Sequence, residues 1–130
     1  MDIVAALFIE DMQMRQAFEG GPARIDLTGV HFSAAPPEPP PCTVAPHLVV
    51  IARCAPDEPG TGVLEVVFRR DGTQVARNVQ PLQVEPGKFA YRFVRAELDF
   101  ADYGSVEAHC RIDQGPATVV PYTLVPGPAG

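Results

Sequence analysis

The residues of this 130-residue chain best equipped for chemistry are three cysteines and three histidines. They are Cys42, Cys54 and Cys110, with His31, His47 and His109. Such a set could ligate zinc, which takes convergent thiolates and imidazoles, typically from pairs a few positions apart. No CxxC or HxxxH pair is present. His109 and Cys110 are neighbours in a segment that alternates like a strand, so they point to opposite faces. Cys110 is in phase with Val106, Ala108 and Ile112, the pattern of a small core hydrophobe. The expectation is structural thiols, no metal and no cofactor.

Nucleophilic catalysis needs a hydroxyl or thiol beside an oriented base. The only serines, Ser33 and Ser105, lack a GxSxG context. A dyad of Cys54 or Cys110 with His31 or His47 has no local motif behind it, so the expectation is a non-enzyme. The carboxylates Glu97, Asp99 and Asp102 fall with Phe100 and Tyr103 in a loop before Gly104. Loop oxygens of this kind can hold Ca²⁺ in some sandwich domains, but no DxDxDG-like run is present, and Asp102 suits a local backbone hydrogen bond. Asp99, Phe100, Asp102 and Tyr103 are the candidate loop site for a small ligand or carbohydrate, with Ala55–Thr61 as a second wall. The absence of Trp weakens a sugar site.

These groups must be carried by elements that turn often. Fifteen Pro and 11 Gly make up about a fifth of the chain. Interior prolines cost a helix about 3 kcal/mol each, whereas the turns and edges of sheets absorb them. Net charge is −6 with the basic residues scattered, which argues against nucleic acid and anionic membrane surfaces as partners. The apolar start, Met1–Glu10, lacks a basic n-region and is too short to span a bilayer. With an odd cysteine count, this predicts a cytoplasmic protein with reduced thiols.

Short alternating apolar runs predict about eight strands, within a range of seven to nine. The first, Ile3–Ile9, is apolar on both faces. Asp11–Phe18 either continues it or forms a helical turn or two, before the break at Glu19–Pro22. Ala23–Phe32 changes apolar phase at Gly29, which suggests a bulge or bend. Ala34–Pro41 is a stiff polyproline crossover between sheets; its two PxxP matches lack basic flanks and contain Glu38. His47–Cys54, nearly all apolar, is the candidate central strand. Val63–Arg70 and Thr73–Val79 form a hairpin across Asp71-Gly72, with Leu64, Val66 and Phe68 inward. Lys88–Val94 alternates Phe89, Tyr91 and Phe93 with Lys88, Ala90 and Arg92. Gly104–Asp113 and Ala117–Val125 complete the set.

This pattern predicts a single all-β domain over 1–125, an antiparallel β-sandwich of immunoglobulin-like or related topology, with a tail at 126–130. Asp102 and Gly104 match the start of an immunoglobulin Asp-x-Gly-x-Tyr-x-Cys signature. Val106 and Ala108 replace its Tyr and Cys, which excludes the disulfide-bonded form.

The order of several short motifs carries a resemblance. They are the opening apolar strand, Asp26-Leu27-Thr28-Gly29-Val30, the Pro-rich break, His47–Cys54, Arg70-Asp71-Gly72, Asp102-Tyr103-Gly104, Arg111-Ile112-Asp113 and Val120-Pro121. In this the chain resembles a family of short, uncharacterised bacterial (actinobacterial-type) β-sandwich proteins over almost its whole length. The likeness rests on turn and core residues, so it implies the fold and no activity.

Function is therefore expected in surfaces. A terminal strand apolar on both faces is either covered or an edge awaiting a partner. Val4, Leu7 and Phe8, extended by Met12, Met14 and Phe18, form the candidate interaction surface of a protein–protein or self-assembly module, with a homo-oligomer among the expected partners. The alternative is a small-ligand or carbohydrate-binding module using the loops at one end.

Overall fold

The computed structural model describes residues 1–128; the last two residues of the expected tail, 129–130, lie outside the described part. In chain order the strands are β1 (Asp2–Ile9), β2 (Asp11–Gln16), β3 (Ala23–Thr28), β4 (Ser33–Ala34), β5 (Cys42–Val44), β6 (His47–Arg53), β7 (Thr61–Arg70), β8 (Thr73–Gln83), β9 (Phe89–Arg95), β10 (Leu98–Phe100), β11 (Gly104–Ile112) and β12 (Thr118–Leu124). The described residues are all-β, and the strand count exceeds the seven to nine expected. There are four sheets, ordered β1-β6-β9, β10-β5, β4-β12-β11-β7-β8 and β2-β3. The excess comes from segments too short to show a period, β4, β5 and β10, and from β2, where a strand forms in place of the alternative helical turn.

The core lies between the three- and five-stranded sheets. Ala6, Phe8, Leu48, Val50, Ala52 and Val94 face Leu64, Val66, Phe68, Ala108, Cys110, Val120 and Tyr122. Phe8 and Tyr122 meet as a tilted aromatic pair, 5.0 Å between ring centres. Leu98 and Phe100 add to the same core. Strand β6 is central in its sheet and β1 is an edge.

Local chemistry fixes the turns. Asp71 and Gly72 both have positive φ, 50° and 79°. That is the mirror-image turn whose twist matches the strands it joins, which is why Asp-Gly signals a hairpin. Strand β8 runs past the expected end at Val79 to Gln83, carrying Pro81 opposite Val63; an edge strand tolerates the missing donor. Gly29, at φ 67°, makes the expected bend between β3 and β4. The Pro-rich segment then leads from the five-stranded sheet to β5, which pairs with β10.

The three-stranded sheet is apolar on both faces. Its outer face carries two cross-strand rows, Leu7–Val49–Phe93 and Ala5–Ile51–Tyr91. A sheet of this kind needs a further layer, since apolar area left in water costs roughly 25 cal/mol per Å². The β2-β3 hairpin supplies it. Met12 pairs with Leu27 and Met14 with Ile25 on one face, while Gln13, Arg15, Arg24 and Asp26 occupy the other. The Arg15–Asp26 ion pair, 2.7 Å, lies on this polar face. Glu10 N–H donates to Thr28 O at 3.0 Å, tying the hairpin root to the end of β1.

Candidate functional site

The hairpin roof does not reach the far side of the sheet. Val49 in the middle strand is fully buried, but in the same row Phe93 is 48% exposed, and Phe89 is 60% exposed. Between the hairpin and β9 runs a groove of about 550 Å³. Met14, Ala23 and Ile25 form one wall; Ile51, Phe89, Tyr91 and Phe93 form the other. Tyr91 and Phe93 stand edge to face at 5.6 Å. Phe93 also lines a smaller notch of about 240 Å³ with His47, Val94 and Arg95.

The aromatic alternation of β9 is therefore real, but its face is turned away from the central core: Val94 is buried there and Ala90 packs against it. Sequence reasoning did not place Phe89, Tyr91, Phe93, Ile51 and Ile25 in a site. The available signal was the pairing of small or aliphatic Ala90 and Val94 on the opposite face, which suits a thin, close-packed core.

The six residues of the expected interaction surface separate. Phe8 is fully buried against Tyr122 and contributes no surface. Leu7 is half-buried on the outer face. Val4 sits at a register shift between Ile3 and Ala5 and is 55% exposed. Met12 and Met14 lie on the apolar face of the hairpin, and Met14 alone of the six lines the groove. Phe18 is in the hairpin turn, exposed, with its ring against Gly21.

The loop candidates are occupied by structural duties. Asp99 Oδ1 accepts a 2.6 Å hydrogen bond from the Thr43 hydroxyl. Asp102 Oδ1 accepts from Tyr103 N–H at 2.8 Å, the local bond expected ahead of Gly104. Phe100 is buried, with the Arg70 guanidinium 5.2 Å from its ring centre. Arg70 also donates to Asp102 O and Tyr103 O, at 3.0 and 2.7 Å. In the other loop Glu58 pairs with the Met1 amine. That contact raises the amine's pKa above its usual 8.0 and lowers the carboxyl's below 4.5.

Among the described residues no three His, Cys, Asp or Glu side chains converge as a metal site. All three cysteines are free thiols. Burial pushes the Cys110 thiol up to about 12, the reverse of an activated nucleophile. Cys54 Sγ contacts the carbonyls of Ala55 and Glu58. His109, on the outer face of β11, has its Nε2 atom buried 3.5 Å from the Glu107 carboxylate and without a hydrogen bond among the described residues, and His31 Nδ1 bonds Gly29 O at 2.7 Å. No helix among the described residues is long and apolar enough to cross a membrane. No family model matches this chain, and no curated protein matches it.

Proposed function

We propose that this chain is a non-enzymatic protein-interaction module that docks an extended segment of another protein in the groove between the β2-β3 hairpin and β9. The observation that carries the reading is the open aromatic wall, Phe89, Tyr91 and Phe93, facing Met14 and Ile25 across a roofless gap. Exposed aromatics opposite a flexible thioether make an adaptable contact surface. Covering the exposed parts of Phe89 and Phe93 would remove on the order of 100 Å² per ring from water, about 2.5 kcal/mol each before ordering costs. The same reading takes the two facing sheets as a β-sandwich of immunoglobulin-related type, with the hairpin as an added layer. It also takes the setting as cytoplasmic, in keeping with three free thiols. The alternative, a loop site for a small ligand or carbohydrate, has a cleft of about 370 Å³ lined by Thr43, Asp99 and Phe100, but one oxygen each of Asp99 and Asp102 is already engaged in a hydrogen bond.

The test is selection of random displayed peptides on the purified protein, with Phe89→Ser/Phe93→Ser as counter-target. Phe89 is 60% and Phe93 48% exposed, so the double variant should keep the fold, checked by its melting temperature. Enriched peptides that lose affinity for the double variant support the groove. Enrichment of peptides indifferent to it, or of none, overturns the reading. So does a groove-dependent dimer in light scattering, which would make the occupant a second copy.

A further inference from the structure

We infer that the segment docked here is a β-strand in which apolar residues alternate with acidic ones, and that it adds to the free edge of β9. The inference rests on the groove reading above and supplies its chemistry from three observations.

The first is the direction of the β9 backbone. Cys54 N–H donates to Lys88 O, so the even-numbered positions turn their peptide groups toward β6. Phe93 O instead accepts from the Gln80 side chain at 3.0 Å, and Tyr91 O from Arg92 at 2.8 Å. The odd positions therefore present N–H and C=O to the outside of the sheet, where β9 is the last strand. Their carbonyls are held by side chains, and among the described residues no acceptor meets the amides of Tyr91 and Phe93. On that side β8 comes near only through the Gln80 side chain and forms no backbone ladder with β9, and a strand edge without a ladder is a template for another strand.

Second, the groove runs along β9: Phe89 to Phe93 line it continuously, with Ile51 of β6 as its floor. An incoming strand would take over Phe93 O from Gln80 and set alternate side chains against the aromatic wall.

The third is charge. Lys88, Arg92 and Arg95 lie within β9 and its start, with no acid from Lys88 to Ala96, in a chain of net charge −6. Lys88 is paired with Glu85; neither Arg92 nor Arg95 is in an ion pair among the described residues. Antiparallel pairing of β9 with a second β9 in the register centred on Arg92 would set that arginine against its own copy, which disfavours a homodimer in that register. An acidic strand meets the opposite balance.

The experiment uses fluorescein-labelled octapeptides and polarisation on the whole chain. (Val-Glu)₄ should bind about tenfold more tightly than (Val-Lys)₄, the effect of two or three exposed cross-strand charges changing sign. Arg92→Glu, checked for an unchanged melt, should narrow or reverse that ratio, whereas Arg95→Glu, on the aromatic face that meets the valines, should change it much less. Two N-methylated versions of (Val-Glu)₄, modified at odd or at even residues, test the backbone. One should lose about tenfold through the N–H groups facing β9, and the other should bind as the parent. Equal binding of acidic and basic peptides, or both N-methyl series behaving alike, overturns strand addition. The groove reading falls separately, on the peptide selection against Phe89→Ser/Phe93→Ser and on light scattering.

Discussion

Phe8 and Leu7 offer the sharpest test of how β1 sits. Neighbouring strand residues face opposite ways, so a slip of one position would exchange them. In the structure Phe8 has no exposed surface and stacks on Tyr122, whereas Leu7 lies in the outer row beside Val49. Truncating a fully buried Phe to Ala costs about 3–5 kcal/mol, and the lost aromatic pair places Phe8→Ala in the upper part of that range, about 4 kcal/mol. For a domain of this size that is a fall in melting temperature of about 15 °C. Leu7→Arg should cost about 1 kcal/mol, because its stem can lie along the outer face with its charge in water. Phe8→Asp should not fold, as it would bury an unpaired carboxylate. Urea denaturation followed by far-UV circular dichroism, with calorimetry, gives both values. Equal losses for Phe8→Ala and Leu7→Arg, or a larger loss for Leu7→Arg, would refute this register and the core built on it.

Gly60 has φ +78° and a Cβ there would collide with the Val84 carbonyl; Gly60→Ala should destabilise by about 2–4 kcal/mol, read as a urea midpoint shift. Native protein should react with Ellman's reagent at pH 8 quickly at half-buried Cys42 but not at Cys110, whose thiol sits near 12, with all three reacting once unfolded. The Glu58 pKa is lowered, so its contribution is present above its unfolded value near 4.5 and lost as pH falls through the lower folded value. The Met1 amine is raised, so its contribution is present below 8.0 and lost as pH rises through the higher folded value. Urea midpoints of Glu58→Gln and the parent should therefore differ most between these limits and converge outside them.

Local features were legible in the sequence. Asp71-Gly72 dictates its turn through two backbone angles, and the inward set Leu64, Val66 and Phe68 follows from period two. Asp102 makes the turn bond its position suggested. The outward face of β9 was not legible, because alternation gives a period and no phase: which of Phe89–Phe93 or Ala90–Val94 faces the core depends on β6 and on the opposing sheet. The same ambiguity merged Leu7 with Phe8, since a sheet apolar on both faces erases the contrast between them. The hairpin layer was written in Met12, Met14, Ile25 and Leu27, but its meaning depends on the distant face it covers.

The pairing of β1 with β6 also orders events at the ribosome. Ala6 pairs opposite Val50 and Phe8 stacks on Tyr122, so β1 waits for partners encoded much later. At ~5–20 residues per second the wait for β6 alone lasts several seconds. A β-hairpin forms in ~1–10 μs, so β2-β3 is complete long before either partner emerges. The apolar side of that hairpin, Met12, Met14, Ile25 and Leu27, thus exists before the sheet it comes to cover.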